Sequence, residues 1–364
     1  MPVDTLMVYV GGYTDGEGQG IRLFRMNLAS GKLTAAGVGP NIVNPSFLAL
    51  NPAGTMLFAV SEVGSFHGQK TGAVSGCSIN PADGSLTLVN AQSSGGAGPC
   101  HVTMDRWGKN VLVANYGGGS VAVLPVENDG RLREPSSIIQ HHGSSVDPKR
   151  QEGPHAHSIN LDSANRFAFA ADLGLDTILI YRFDPDHGTL MPNDPASVNL
   201  APGAGPRHFA FHPGGRTAYA INELNSTVTT FNYDPEAGSL REIQSISTLP
   251  DTFKETNYPA EIRAHPTGRF LYGSNRGHDS IAIFRIDPAS GRLTAAGHRA
   301  TGGKNPRNFR IDPTGRYLLA ANQASSTIVV FRIDPETGDL TPTGETAEAP
   351  TPVCVVMLPI TVST

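Results

Sequence analysis

The strongest constraint on this chain is a four-strand repeat that the two chain ends divide between them. Residues Asn305–Gly344 read NPRNFRIDPTGRYLLAANQASSTIVVFRIDPETGDLTPTG, and Tyr258–Gly297 read YPAEIRAHPTGRFLYGSNRGHDSIAIFRIDPASGRLTAAG. Gly205–Gln244 follows the same template, and looser copies begin at Gly153, Gly98 and Asn44. Each copy opens on an X-Pro step and an alternating apolar strand. A tight HPTG or DPTG turn follows, in which Pro suits the first central position and Gly supplies positive φ. A second strand (Tyr317–Ala321), a polar bend, a β-branched third strand (Thr327–Ile333), a DPETG-type turn and a short fourth strand complete the unit. No segment competes as an amphipathic helix.

Six copies leave a remainder at each end. The tail TPVCVVMLP, from Thr351, matches a first strand alone, and the head from Leu6 begins at a second strand and supplies the rest. Neither fragment buries both faces by itself, and an open ring leaves two bare edges. Joining them predicts an all-β, seven-bladed β-propeller of four-stranded antiparallel blades, its last blade closed by the N- and C-terminal segments. The expected organisation is one domain over residues 1–364.

Composition agrees and excludes several alternatives. Gly 41 and Pro 28 suit many short strands joined by turns, and a net charge of -5 leaves no basic footprint for nucleic acid. No apolar run approaches the roughly 18 residues needed to span a bilayer. Residues 1–12 carry no basic stretch ahead of an apolar core, so a cytoplasmic protein, monomeric or weakly self-associating, is the expectation. Cys77, Cys100 and Cys354 are odd in number and widely spaced, which fits neither a disulfide framework nor a zinc site.

Positions where the copies disagree, while the rest of the template holds, mark the expected site. One is the residue after the entry Pro: Ser46, Cys100, His157 (with two extra residues in its copy), Arg207, Ala260, Arg307 and Val353. The residue beyond it is often polar too, as His101, Ser158, His208, Glu261 and Asn308. The other position ends the second strand: Tyr13, Glu62, Tyr116, Leu173, Glu223, Arg276 and Gln323. Both are expected to face one rim of the channel, where charges of both signs converge. Arg207, Arg276 and Arg307 suit a carboxylate or phosphate. His157 or His155 suits a general base, and Glu223 either orients that base or, with a raised pKa, activates water itself. His155, His101, Arg307, His208, Tyr116 and Glu62 are expected to contact substrate.

Other conspicuous residues have plainer readings. His212 and His265 occupy a turn slot held elsewhere by Asp312, which points to turn capping. His141, His142, His155 and His157 match no zinc spacing, so neither metal nor cofactor is expected. Gly117–Gly119 lies between strands rather than at a helix start, which disqualifies a phosphate-cradling loop. Cys100 is expected to be a small packed residue. Residues 136–153 form an insertion able to cover the channel.

Several segments, taken together, resemble the lactonase-type propellers: HHGSSVDPKRQEGPHAHS (from His141), AADLGLDTILIYRFD, GPRHFAFHP, AINELNSTVTTFNYD and SNRGHDSIAIF. That family includes propeller-type 6-phosphogluconolactonases and the carboxy-cis,cis-muconate cyclases. The resemblance runs from VYVGGYT at Val8 to TPVCVVML and implies a metal-free site of one His, two Arg and one Glu. It carries over onto the His of GPHAHS, Arg207 of GPRH, Glu223 of INELN and Arg276 of SNRGHDS, the residues that the repeat comparison also singles out. It implies hydrolysis of a small anionic lactone, 6-phospho-D-glucono-1,5-lactone, in the pentose phosphate pathway. Two other readings stand beside it. One is a cyclase or another sugar-lactone enzyme using the same residues, and the other is a non-catalytic propeller that binds a protein on its rim.

Overall fold

A computed structural model of the chain describes residues 4–14 and 20–360. Residues 15–19 of the head copy therefore lie outside the described residues. Seven four-stranded antiparallel sheets are present. Six come from consecutive stretches of chain, and in the seventh the strand Pro352–Ile360 pairs with Thr5–Gly12, followed by Arg22–Asn27 and Leu33–Val38. The tail thus supplies the innermost strand of a blade whose other three strands come from the head. The third-strand range Thr327–Ile333 is reproduced, and the second strand extends to Asn322. Helical structure among the described residues is limited to the single turns Leu173–Leu175 and Gln323–Ser325. No helix among them is long and apolar enough to cross a membrane.

The core lies between blades. Second and third strands alternate toward the two neighbouring sheets, so Phe169, Phe209 and Phe231 share one cluster while Tyr272, Phe309 and Phe331 share another. Polar latches accompany the apolar contacts. The buried hydroxyls of Tyr9, Tyr219 and Tyr272 donate to the carbonyls of Gly84, Gly291 and Gly338 in adjoining blades. His212 and His265 do more than cap. Nδ1 of each accepts from a turn amide, of Gly214 and Thr267, and Nε2 reaches the next blade's turn at Gly268 O and Gly315 O. The turn glycine is required where it stands, with φ +73° at Gly268 and +74° at Gly315. The one copy that lacks it substitutes Asn165 at φ +57°.

One local irregularity aims the site. In five innermost strands the pairing with the second strand slips just after the entry Pro or its equivalent. The residues skipped by the ladder are Cys100, His157, Arg207, Ala260 with Glu261, and Arg307. A bulge of this kind lets two successive side chains turn toward the channel, and bulges recur where a side chain has to be re-aimed. That accounts for the run of adjacent informative residues in each copy. The closing blade shows the same slip at Val353.

Candidate active site at the channel mouth

Residues that end the second strands are fixed by a recurring backbone bond to the entry of their own blade. The amides of Tyr13, Glu62, Tyr116, Leu173, Glu223 and Gln323 donate to the carbonyls of Thr351, Asn44, Gly98, His155, Gly205 and Asn305. Arg276 is held by strand pairing opposite Tyr258. The two positions singled out in the sequence therefore meet on one rim. There they enclose a cavity of about 290 Å³ lined by Glu62, Cys100, Tyr116, Arg150, His157, Glu223, Tyr258, Arg276 and Arg307. A narrow extension below it is lined by Tyr13, Ser46, Phe47, Arg207, His208 and Val353, with Glu62, Cys100 and Arg307 shared. Leu173 and Gln323 line neither space, and Ala260 is buried beside them without doing so.

Glu223 is the electrostatic hub. Its Oε2 accepts from Arg276 at 2.6 Å and from Arg207 Nε at 3.0 Å, and its Oε1 accepts from Arg150 at 2.6 Å. Burial alone would raise this carboxyl, but Arg276 and Arg207 together hold it far below the usual carboxylate range. The condition under which Glu223 was expected to activate water itself, a raised pKa, is not met: three guanidiniums outweigh desolvation and favour the carboxylate. No hydrogen bond joins it to His157 either, so it does not orient the imidazole directly. Arg276, lowered by burial to about 9 against the pull of Glu223, stays charged at neutral pH.

Glu62 occupies the opposite wall in a different company. It accepts from Tyr13 Oη at 3.0 Å and from Ser46 Oγ, while Arg307 donates to Tyr13 Oη at 3.2 Å. Burial raises the Tyr13 phenol to about 12, so it remains a donor.

The histidines separate clearly. His157 lines the cavity, and burial holds it well below the ordinary imidazole range, helped by Arg207 and His208. Its Nδ1 lies 3.6 Å from Cys100 Sγ, and its Nε2 has no protein partner among the described residues. His155 does not line the cavity. It stacks on Tyr116 with ring centroids 4.5 Å apart, its Nδ1 faces Tyr116 O and its Nε2 faces Glu152. His101 lies deeper, packed on Phe47, and lines neither space. His208 reaches only the lower extension. Of the three, only His157 is turned into the cavity: His155 stays on the entry turn against Tyr116, and His101 packs against Phe47. His141 pairs with buried Asp172 at 2.6 Å and with Tyr181 Oη, which ties down the insertion. Among the described residues no three His, Cys, Asp or Glu side chains are grouped to hold a metal ion. Cys100 is buried, and burial pushes its thiol pKa upward, in keeping with a packed residue.

Two residues lining the main cavity escaped the sequence reading. Arg150 arrives from the insertion, outside the repeat. Tyr258 occupies the slot before the entry Pro, where Asn44, Gly98, Gly205 and Asn305 all adopt positive φ. A bulky aromatic in a slot that four other copies fill with Gly or Asn was the available signal.

Comparison with known proteins identifies the family. The family model described as "Lactonase, 7-bladed beta-propeller" matches residues 7–357. A 6-phosphogluconolactonase of Bacillus subtilis (strain 168) is 39% identical over 301 residues, 83% of each chain. One of Formosa agariphila is 37% identical, over 83% of this chain and 85% of its own. The solved structure of the Pseudomonas aeruginosa periplasmic gluconolactonase, PpgL, superposes with a TM-score of 0.91 at 34% identity, covering 97% of this chain and 99% of that one. The chain therefore belongs to the seven-bladed β-propeller lactonase family and is a lactonase.

Proposed function

We propose that the substrate is 6-phospho-D-glucono-1,5-lactone, hydrolysed at the cavity described above. The observation that carries this reading is the charge balance of a space of monosaccharide size. Arg150, Arg207, Arg276 and Arg307 face it or its extension against only Glu62 and Glu223, which leaves two positive charges. A phosphomonoester at neutral pH brings close to two negative ones. The cavity lies at the lower edge of the ~300–1,000 Å³ typical of small-molecule sites. The names of the Bacillus and Formosa relatives favour the same substrate.

His157 is the general base in this reading. It takes a proton from water at Nε2 as the water oxygen attacks the lactone carbonyl. The buried arginines stabilise the oxyanion that forms, and the ring C–O bond then breaks with the leaving oxygen taking up the proton. Glu223 keeps Arg207 and Arg276 fixed and charged, so that no reorganisation is needed as charge develops. Tyr13, Tyr116, Tyr258 and Glu62 offer hydrogen bonds to the sugar hydroxyls.

The test is hydrolysis of freshly generated 6-phosphogluconolactone with the spontaneous rate subtracted. Wild type is expected well above background, and Arg276→Ala is expected to lose about 10²–10³ in kcat. A wild-type rate equal to background rejects the substrate, and an Arg276→Ala variant with full activity rejects its role. His157→Gln is expected to lower kcat by about 10²–10⁴. Because the imidazole is neutral in the folded protein down to well below pH 6.5, wild-type kcat/KM should be flat from pH 8 to 6.5, with its acid limb lower. An acid limb near pH 6.5 that survives in His157→Gln assigns the base elsewhere.

A second substrate follows from the likeness to the periplasmic gluconolactonase. A neutral glucono-1,5-lactone would leave the two surplus charges unmatched, which is why the phosphorylated ester is preferred.

A further inference from the structure

We infer that Arg150, presented by a fixed strap rather than by the propeller, selects phosphorylated over unphosphorylated lactone. The inference rests on the proposed reaction at this site and assigns its specificity to one side chain outside the blade repeat.

The strap runs through residues 141–155, between the fourth strand of one blade and the first strand of the next. It is pinned along its length. Ser145 Oγ donates to Asp176 Oδ2 at 2.6 Å, and its amide donates to Gln151 O at 2.9 Å. Asp147 folds the segment into a turn, its Oδ1 accepting from the amides of Lys149 and Arg150 and its carbonyl accepting from Gln151 N. Gln151 is fully buried, its Nε2 donates to Leu173 O and its Oε1 accepts from Asp147 N. His141 closes one end on Asp172, whose other oxygen accepts from His155 N at the far end. A loop residue with no exposure and both ends of its side chain bonded is the mark of a fixed element. Through Arg150 the insertion contributes one residue to the cavity wall, and these bonds hold it there.

This strap delivers Arg150 to the outer wall of the cavity. Its side chain is 33% exposed, against 3% for Arg207 and 11% for Arg276, so among these three it stands nearest solvent. It bonds Glu223 Oε1, and its guanidinium lies 5.8 Å from the Tyr258 ring centroid. His157, with 4% exposure, marks the buried end where water attacks. The 6-phosphate stands on a rotatable CH2–O arm at C5, across the ring oxygen from the lactone carbonyl, so the arm can swing away from the reacting carbon. With the carbonyl at His157, the phosphate extends toward the rim and meets Arg150. A planar guanidinium fork suits bidentate phosphate binding there. Glu223 neutralises Arg150 in the empty site, so the fork is held in place before substrate arrives.

The experiment compares 6-phosphogluconolactone with D-glucono-1,5-lactone for wild type, Arg150→Met, Arg150→Lys and Gln151→Ala. The expected result is a fall in the ratio of the two kcat/KM values by about 10- to 100-fold in Arg150→Met, carried by KM for the phosphorylated lactone. Arg150→Lys should recover part of the ratio, and Gln151→Ala should lose part, since it loosens the turn without removing the charge. An Arg150→Met variant that slows both substrates equally, or neither, overturns the inference. Calorimetric titration with 6-phosphogluconate and with gluconate keeps it separate from the reaction itself. Arg150-dependent preference for 6-phosphogluconate, in a protein that fails to hydrolyse the phosphorylated lactone, rejects the substrate while retaining the selector. Equal binding of the two acids by wild type rejects the selector.

Discussion

Glu223→Gln is expected to lower the stability of the ligand-free protein by about 3–5 kcal/mol, the usual cost of removing one partner from a buried ion pair. The amide fills the same volume, so packing is not the cause. Three guanidiniums that now converge on one carboxylate would face a neutral group, and the amide nitrogen would point a donor at other donors. Arg207 suffers most, because its side chain is almost fully buried and its remaining bonds are to Ala260 O and His208 Nε2. Chemical denaturation at pH 7 measures the loss. Ligand gives a diagnostic contrast: inorganic phosphate or 6-phosphogluconate should raise the melting temperature of Glu223→Gln more than that of wild type, since an anion replaces the missing charge. An unchanged denaturation midpoint would mean that the arginines are satisfied elsewhere. The sign with pH follows from the depressed folded pKa. The wild-type carboxylate contributes fully above its unfolded value near 4.5, and the contribution fades as pH falls below that toward the folded value. Glu223→Gln should lack this component of acid sensitivity.

A larger acid effect is expected from three channel histidines. His101 and His157 each lie about 5.5 Å from His208 between ring centroids, and burial holds all three well below 6.5. Geometry independently requires one of them to be neutral. Arg207 donates to His208 Nε2, which must therefore carry a lone pair, and the proton on Nδ1 points at Glu261 Oε1, 3.2 Å away. Burial first, then Arg207 and Arg263, hold the His208 imidazole neutral despite this carboxylate contact. The unfolded chain binds protons at these residues below pH 6.5 and the folded chain does not, so stability rises with pH in that range. Each histidine contributes a slope of about 1.4 kcal/mol per pH unit, and three approach about 4 kcal/mol per unit before any titrates in the folded state. Denaturation at pH 7.5, 6.5 and 5.5 should show near-constant stability across the first interval and a steep fall across the second. His101→Asn should reduce the slope by about a third, and a flat profile to pH 5.5 would mean that the folded channel takes up protons after all.

The sequence made the ring legible because its turn chemistry is local. Positive φ at Gly268 and Gly315 and capping by Asp312 or His265 are demanded by a few residues, so they recur wherever the blade does. The rim positions were legible for the same reason: aligning on the turn glycine places Arg207, Arg307 and Glu223 without knowledge of the channel. What failed depends on contacts between distant segments. The choice between His155 and His157 turns on a bulge that pattern alone does not display. The state of Glu223 turns on three arginines from three places in the chain, one of them on a strap with no counterpart in other copies. The sequence left open whether its pKa is raised; the opposing charges, which no local pattern displays, hold it low.

The strand Pro352–Ile360 has a consequence for how the protein is made. Tyr13 hydrogen-bonds Glu62 and Arg307, while its amide reaches Thr351 O and Thr351 Oγ1 reaches its carbonyl. One wall of the cavity is therefore built across the junction of two strands that lie far apart in the chain. The other six blades are each drawn from one continuous stretch of chain, but Thr5–Gly12 keeps one edge bare until Pro352–Ile360 has been made and docks against it. This wall is therefore completed only when Pro352–Ile360 docks, by which point every arginine that lines the cavity is already in the chain.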